Sequence, residues 1–202
     1  MKETTMEKES PLASRMRPTT LDEVVGKNSK EVSGVSAQKP DEAEKMQTKP
    51  ALLMVLETIQ DPGNLGTILR AGEGAGVTGV VMDANTADIY NPKVIRSTMG
   101  SVLRMPFVYA EDLHETLETL KQKKVRLFAA HLKGKNAYDL EDYTGDTAFL
   151  IGNEANGLTD ETAAMADTYV RIPMEGRVES LNAAVAASVL MFEAARQRRN
   201  QK

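Results

Sequence analysis

Residues 51–82 read ALLMVLETIQDPGNLGTILRAGEGAGVTGVVM, and this stretch decides the fold. It begins with a continuous apolar run at 51–57, which is typical of a strand buried on both faces of a parallel sheet. The apolar spacing then predicts a helix over 64–76. A second strand is predicted at 77–82. A strand, a helix and a second strand in this order indicate an α/β domain.

The same alternation continues along the rest of the chain. Further strands are predicted at 107–109, 125–130, 148–151 and 169–172, and further helices at 91–99, 112–123, 159–165 and 180–198. This order predicts a mostly parallel sheet with helices on both faces.

The last predicted helix is rich in alanine. Ser180 is its expected N-cap, because a serine side chain accepts a hydrogen bond from a free N–H of the first turn. The expected apolar face consists of Leu181, Val185, Val189 and Phe192. Its alanines would allow close packing, including packing against a second subunit. The basic residues that follow, 196–202, suit the negative end of a helix dipole or a contact with RNA.

Residues 1–50 differ from the rest of the chain. They contain no aromatic residue, and their apolar residues are mostly isolated, so we predict a flexible polar segment ahead of a domain at 51–202. The island at 10–26 resembles the opening of recombination ATPases of the AAA+ class. The glycine-rich loop with Lys-Ser/Thr that such an ATPase needs does not follow it.

Composition excludes several kinds of site. The chain has no cysteine and two histidines, which excludes disulfides and thiolate metal sites and leaves too little imidazole for a histidine cluster. We expect no metal. The formal net charge of -4 gives no overall attraction to nucleic acid, so an RNA contact would need a local basic patch. No apolar run is long enough to span a membrane, and we expect a cytoplasmic protein.

The segment 74–79 matches the spacing G-x-G-x-x-G of dinucleotide-binding loops. However, it follows a predicted helix and enters a strand, which is the reverse of the required order. These glycines are better explained as the end of a helix. A nucleotide-dependent oxidoreductase has no other support in the sequence.

Three loops carry the candidate chemistry. Residues 61–70, 152–157 and 172–182 each follow a predicted strand, at the edge where open α/β sheets bind ligands. In the first loop Asn64 is a candidate helix cap. Arg70 lies on a helix expected to pack on the sheet, where its guanidinium would need an anionic partner such as a phosphate. In the second loop Glu154 is either a solvated carboxylate or a site residue, and a pair with Arg70 is one way to hold it.

The three loops together resemble motifs 1, 2 and 3 of the SpoU (TrmH) family of RNA 2′-O-ribose methyltransferases. The likeness runs from about residue 51 to residue 198 and keeps the order and spacing of the motifs. It implies a deep trefoil knot near the C-terminus, S-adenosylmethionine as cofactor, rRNA or tRNA as substrate with rRNA favoured, and a homodimer whose sites lie near the subunit interface.

The resemblance also implies roles for individual residues. The catalytic residues would be Asn64, Arg70, Glu154, Ser180 and Asn182. The cofactor-binding residues would be Leu132, Gly134, Gly152, Asn153, Ile172, Met174 and Leu181. Many relatives carry a folded N-terminal RNA-binding domain, and the polar segment 1–50 is too short and too poor in apolar residues to be one. The rival hypothesis is therefore an RNA-binding or assembly module that keeps the knotted fold with weak or no catalysis.

Overall fold

The structure is a computed structural model that describes residues 50–201 and Leu21. Within these residues, seven strands form one parallel sheet. The strands are β1 (Leu52–Leu56), β2 (Gly79–Met82), β3 (Phe107–Tyr109), β4 (Arg126–Ala130), β5 (Asn136–Ala137), β6 (Thr147–Ile151) and β7 (Thr168–Arg171). Their order in the sheet is β3-β2-β1-β6-β4-β7-β5, and every pair of neighbours is parallel. The predicted α/β class and parallel sheet are confirmed.

Residues 50–201 contain five α-helices, four between strands and one after β7. They are α1 (Pro62–Ala75), α2 (Pro92–Thr98), α3 (Leu113–Gln122), α4 (Asp160–Ala164) and α5 (Ala183–Asn200). All five were predicted to within about three residues at their ends. The two-residue strand β5 was missed because Asn136 and Ala137 carry no apolar alternation. The trefoil knot stays a prediction.

Two apolar cores lie on opposite faces of the sheet, because successive side chains of a strand point to opposite sides. Along β1, Leu52, Met54 and Leu56 enter one core, and Leu53 and Val55 enter the other. Helices α1, α2 and α5 contribute to the first core, and α3 and α4 to the second. The predicted cover of helices on both faces is confirmed.

Both predicted caps at the candidate loops were wrong. Helix α1 is capped by Asp61, whose carboxylate accepts from the Asn64 N–H at 2.9 Å, so Asn64 lies inside the first turn. Helix α5 is capped by Asn182 rather than Ser180. The reason is the same in both cases. A cap must lie just before the first helical residue, and each helix begins two or three residues away from the predicted position.

The predicted apolar face of α5 was also wrong. The buried residues are Ala184, Ala187, Leu190, Met191 and Ala194. Val185 and Phe192 remain 48% and 47% exposed. Three alanines are buried together with Leu190 and Met191, and Val185 and Phe192 are on the exposed side.

The glycine-rich segment 74–79 lies at the end of a helix, as predicted, and does not open one as a dinucleotide-binding loop would. Gly76 is the C-cap of α1 with φ of 81°, a left-handed conformation that glycine adopts without strain. Among the described residues, no helix is both long enough and apolar enough to cross a membrane. Residues 1–20 and 22–49, on which the flexible segment and most of the ATPase-like island fall, lie outside the described residues.

Candidate active site

Four loops leave the same edge of the sheet. Strands β1, β6, β4 and β7 are neighbours in that order and run parallel, so the loops that follow them begin side by side. These loops are 57–61, 152–159, 131–135 and 172–182. They form the carboxyl edge at which the sequence predicts the site.

Three side chains from the three motifs meet at this edge. The Asn64 amide donates to Glu154 Oε1 at 3.0 Å, and the Asn182 amide donates to Asn64 Oδ1 at 3.0 Å. We call these three residues the amide–carboxylate triad. It joins the first turn of α1, the loop after β6 and the start of α5. The catalytic roles of its members stay predictions.

Glu154 is held by main-chain as well as side-chain donors. Its carboxylate accepts from the Gln60 N–H at 3.3 Å and from the Asp61 N–H at 3.1 Å. Partial burial raises the pKa of Glu154, but the hydrogen bonds from Asn64 and from the main chain outweigh it and leave the pKa below its ordinary value. The carboxylate is therefore ionised at neutral pH and orients its donors. The suggested pair with Arg70 does not form.

Asn182 has two functions in one side chain. Its Oδ1 accepts from the N–H groups of Ala184 at 2.9 Å and Val185 at 3.3 Å, which caps α5. Its amide nitrogen is thereby turned towards Asn64. An asparagine inside a first turn would have been a poor choice for helix stability, but at the cap it is among the best.

The loop after β6 closes tightly over Gly152. A Cβ on Gly152 would lie 2.1 Å from the main-chain carbon of Gly157, so a side chain is excluded there. Asn153 supports the loop from within, because its Oδ1 accepts from the N–H groups of Ala155 and Asn156. Its amide donates to the carbonyl of Thr58 at 2.9 Å. The loop that carries Glu154 is thus fixed to the end of β1.

The loops after β4 and β7 form the other side of the edge. Gly134 is buried, and a Cβ there would lie 2.8 Å from the main-chain carbon of Val170. Leu132 is 60% exposed. Ile172, Met174 and Leu181 are half-buried on a segment without helix or strand. Apolar side chains at the surface of this edge, next to closely approaching main chain, fit the adenine ring and the methylene groups of S-adenosylmethionine.

Two predicted catalytic residues lie outside the triad. Arg70 is exposed on α1, and within residues 50–201 its guanidinium has no hydrogen bond or ion pair. It lies six residues after Asn64, which is about 9 Å along a helix and about a third of a turn away from the same face. Ser180 is exposed in the loop before α5. The helix packs on the sheet as expected, through Leu65, Ile68 and Leu69, and Arg70 lies on its exposed side.

The basic end of α5 has a structural function. Arg198 donates to the carbonyls of Pro50, Ala51, Tyr143 and Gly145 at 2.7–2.9 Å. Burial lowers its pKa. Arg196 pairs with Glu193. The RNA contact considered for this segment stays a prediction. Within residues 50–201 no three His, Asp or Glu residues are grouped so as to hold a metal ion.

Sequence reasoning missed two polar residues at this edge. Asp83 follows β2 and Thr58 follows β1. The same rule that singled out the other loops applies to Asp83, which comes directly after a strand. The left-handed conformation of Thr58, with φ of 57°, has no signal in the sequence.

Comparison with known proteins decides the family. The sequence profile of the SpoU rRNA Methylase family matches residues 51–192. The chain belongs to this family. Its SpoU domain carries the amide–carboxylate triad and the loops described above, and the resemblance found in the motifs is confirmed.

Individual SpoU relatives support the assignment. A 23S rRNA (guanosine-2'-O-)-methyltransferase of Xylella fastidiosa is 38% identical over 148 residues, 73% of this chain and 59% of that protein. A 23S rRNA (uridine(2479)-2'-O)-methyltransferase of Streptomyces viridochromogenes is 34% identical over 191 residues, 91% of this chain and 67% of that protein. The crystal structure of the SpoU methyltransferase AviRb from the same organism, in complex with the cofactor AdoMet, has a TM-score of 0.70 at 33% identity over 75% of this chain and 59% of that one. The chain thus spans about three fifths of the length of the first of these relatives.

Proposed function

We propose that the protein transfers a methyl group from S-adenosylmethionine to a ribose 2′-hydroxyl of RNA, with ribosomal RNA favoured over transfer RNA. The observation that carries the proposal is the amide–carboxylate triad, in which three loops distant in sequence hold Asn64 between a carboxylate and an amide. Two of the SpoU relatives are 23S rRNA 2′-O-methyltransferases, which supports ribosomal RNA. These substrates lead us to expect a cytoplasmic protein.

The triad leaves Asn64 with hydrogen-bonding capacity for a substrate. An asparagine amide has two N–H groups, and one of them is engaged by Glu154. The other is free to donate to a ribose oxygen. Since both ends of the amide are held, its orientation is fixed before the substrate binds. Such positioning contributes several kcal/mol to a group transfer.

S-adenosylmethionine supplies, when bound, a methyl group on a sulfonium centre that is already an activated electrophile. Leu132, Ile172, Met174 and Leu181, with the main chain at Gly134 and Gly152, are the residues that would hold it. What remains for the protein is to align the hydroxyl and to help it lose a proton. Proton removal typically adds about 10²–10⁴-fold to the rate.

We assign Arg70 to binding the RNA backbone. A guanidinium stays protonated at neutral pH and so does not act as a base, but it binds a phosphate through two parallel hydrogen bonds. Because Arg70 is exposed and has no protein partner in residues 50–201, its hydrogen-bonding groups are available. We propose that it holds a substrate phosphate next to the hydroxyl, and that this phosphate or a water takes the proton.

We further propose a homodimer that completes the site. Arg70 and Gly74 lie one turn apart on the same face of α1, and a Cβ on Gly74 would lie 3.7 Å from the Phe192 ring. Phe192 is exposed, and so is Val185, which lies two turns earlier on the same face of α5. Met99 at the end of α2 is 71% exposed. An exposed apolar surface of this kind is typical of a protein–protein interface. A second copy on this surface would bring its own Arg70 to the partner's triad.

The experiment is methyl transfer from tritiated S-adenosylmethionine to ribosomal and transfer RNA by the purified chain, combined with calorimetric binding of the cofactor. We expect binding, incorporation into RNA, and loss of incorporation in Asn64→Ala and Arg70→Ala with binding retained. Failure to bind the cofactor would refute the proposal. Binding without incorporation into either RNA would support the rival, a module that keeps the fold without catalysis.

A further inference from the structure

Thr58 has a backbone conformation that a β-branched residue rarely adopts. Its φ is 57°, in the left-handed region, where branching at Cβ is unfavourable. Such residues persist where the surroundings hold them, and they cluster at functional sites. Thr58 is the second residue after β1, which ends at Leu56, and it precedes the turn that leads into α1.

Asp83 holds this conformation. One oxygen of its carboxylate accepts from the Thr58 N–H at 2.9 Å and the other from the Thr58 hydroxyl at 2.7 Å. The same carboxylate accepts from the N–H and the hydroxyl of Thr86, at 2.9 and 2.7 Å. Asp83 is 9% exposed, and its carboxylate accepts from these four donors, three at Oδ1 and one at Oδ2. A nearly buried carboxylate is thus used to fix one threonine at the end of β1.

Gln60 and Asp61, two and three residues after Thr58, lie next to the triad. The N–H groups of Gln60 and Asp61 both point to the Glu154 carboxylate. Between Thr58 and these groups, Ile59 is also held from the Asp83 side, because its N–H donates to Thr86 Oγ1 at 3.2 Å. Any change in φ at Thr58 redirects the peptide groups that follow it. The orientation of two of the donors to Glu154 therefore depends on the conformation of Thr58.

We infer that Asp83 is a positioning residue for the proposed methyl transfer: it holds Thr58 in the left-handed conformation, which aims the Gln60 and Asp61 N–H groups at Glu154 and so fixes Asn64. The inference rests on the proposed function. In the part of the chain that the structure describes, the hydrogen bonds of the Asp83 carboxylate go to Thr58 and Thr86 and not to the triad, so Asp83 acts through the main chain. Asn153 supports the same arrangement from the other side, through its bond to the Thr58 carbonyl.

The test uses Asp83→Ala, the conservative Asp83→Asn, and the double variant Asp83→Ala with Thr58→Gly. Glycine adopts positive φ without help, so it replaces what Asp83 does for Thr58. The matched control is Asp146→Ala. Asp146 also accepts a main-chain N–H, that of Ala51 at 2.7 Å, but it lies at the opposite edge of the sheet.

We expect Asp83→Ala to lower kcat about 10- to 100-fold, because a small misplacement of site residues has an effect of this size. KM for RNA and for S-adenosylmethionine should change less than about threefold. Asp83→Asn keeps an acceptor for the Thr58 N–H and should retain at least about a third of kcat. The double variant should recover about tenfold over Asp83→Ala. Asp146→Ala should leave kcat unchanged at a temperature where it is folded.

A second readout does not depend on catalysis. The amide exchange rates of Gln60 and Asp61, measured by NMR on the free protein, should rise at least about tenfold in Asp83→Ala and return towards the wild-type rates in the double variant. If the wild type transfers no methyl group, the proposed function fails, and the exchange rates alone then decide whether Asp83 holds the turn. Unchanged exchange in Asp83→Ala, or no recovery of exchange and kcat in the double variant, would overturn the inference.

Discussion

The side-chain amide of Asn182 donates to Asn64 Oδ1 over 3.0 Å, although 118 residues separate the two along the chain. This bond joins the cap of the last helix to the first turn of α1. Because the other side of the Asn182 side chain caps α5, the position of Asn64 is coupled to the start of that helix.

The two functions of Asn182 can be separated by substitution. Asn182→Ser keeps a good cap but is too short to reach Asn64, so we expect a melting temperature within about 2 °C of the wild type and at least about a tenfold loss of methyl transfer. Asn182→Ala also loses the cap, which costs about 1 kcal/mol and about 2–4 °C for a domain of this size. Calorimetry and transfer assays on both variants give the comparison. Full activity of Asn182→Ser would exclude a positioning function for the bond.

Glu154 should make stability depend on pH in a defined direction. Its pKa is lowered in the folded protein, so its contribution is fully present well above the ordinary glutamate pKa of about 4.3 and is lost as the pH falls through the lower folded value. We expect Glu154→Gln to be less stable than the wild type at pH 7. The difference should shrink below about pH 4. Urea unfolding of both proteins at several pH values measures it, and a constant difference down to pH 3 would contradict the prediction.

Arg70 should act across the proposed dimer interface. Arg70→Ala and Asn64→Ala should each be inactive alone. A mixture allowed to exchange subunits should regain activity, because a mixed dimer has one site with both side chains intact. Arg199→Ala, an exposed arginine in the last turn of α5, is the control and should retain activity. Sedimentation checks that all variants keep the oligomeric state of the wild type; a mixture that stays inactive despite exchange would show that each subunit uses its own Arg70.

Gly152 should not tolerate a side chain. Its Cβ would meet main-chain atoms of Gly157 and Leu158 at 2.1 Å, and main chain yields less readily than the end of a side chain. We expect Gly152→Ala to lower stability by at least about 1–3 kcal/mol and to weaken S-adenosylmethionine binding. Gly176→Ala is the matched control, since nothing lies within 4 Å of a Cβ there. Thermal melts and calorimetry distinguish the two, and equal behaviour would refute the close packing.

Arg198 should contribute to stability rather than to RNA binding. Removing its guanidinium takes a donor from four carbonyls, of which that of Ala51 keeps the Thr147 N–H. We expect Arg198→Ala to lose about 2–3 kcal/mol, about 5–10 °C in melting temperature. The neighbouring Arg199→Ala should change stability by less than about 0.5 kcal/mol. RNA affinity of Arg198→Ala, measured below its melting temperature, should match the wild type. A selective loss of RNA affinity would favour the RNA contact considered from the sequence.

Most of the fold could be predicted because its signals are local. The apolar run of β1 and the spacing of Leu65, Ile68 and Leu69 each depend on a few neighbouring residues. The predictions that were wrong depended on residues distant in the sequence. The side chain that caps α5 is decided by where the chain leaves the loop, and the choice of alanines for the buried face of α5 depends on how closely that helix approaches the sheet.

The sequence predicted which residues lie at the candidate site but not which hydrogen bonds join them. The carboxyl-edge rule brings Asn64, Glu154 and Asn182 to one edge, but it does not say which atoms bond. One partner considered for Glu154 was Arg70, because opposite charges attract. In the structure, main-chain N–H groups and an amide take that place, since they are fixed by the turn and lie within reach.

The two outermost strands of the sheet are very short, three residues in β3 and two in β5. An outer strand offers unpaired N–H and C=O groups to which another molecule can add, and short ones offer too few for lasting attachment. Fibre-like growth by strand addition is therefore disfavoured at both ends of this sheet. Self-association is left to the helical surfaces, where side-chain shape rather than main-chain pairing selects the partner.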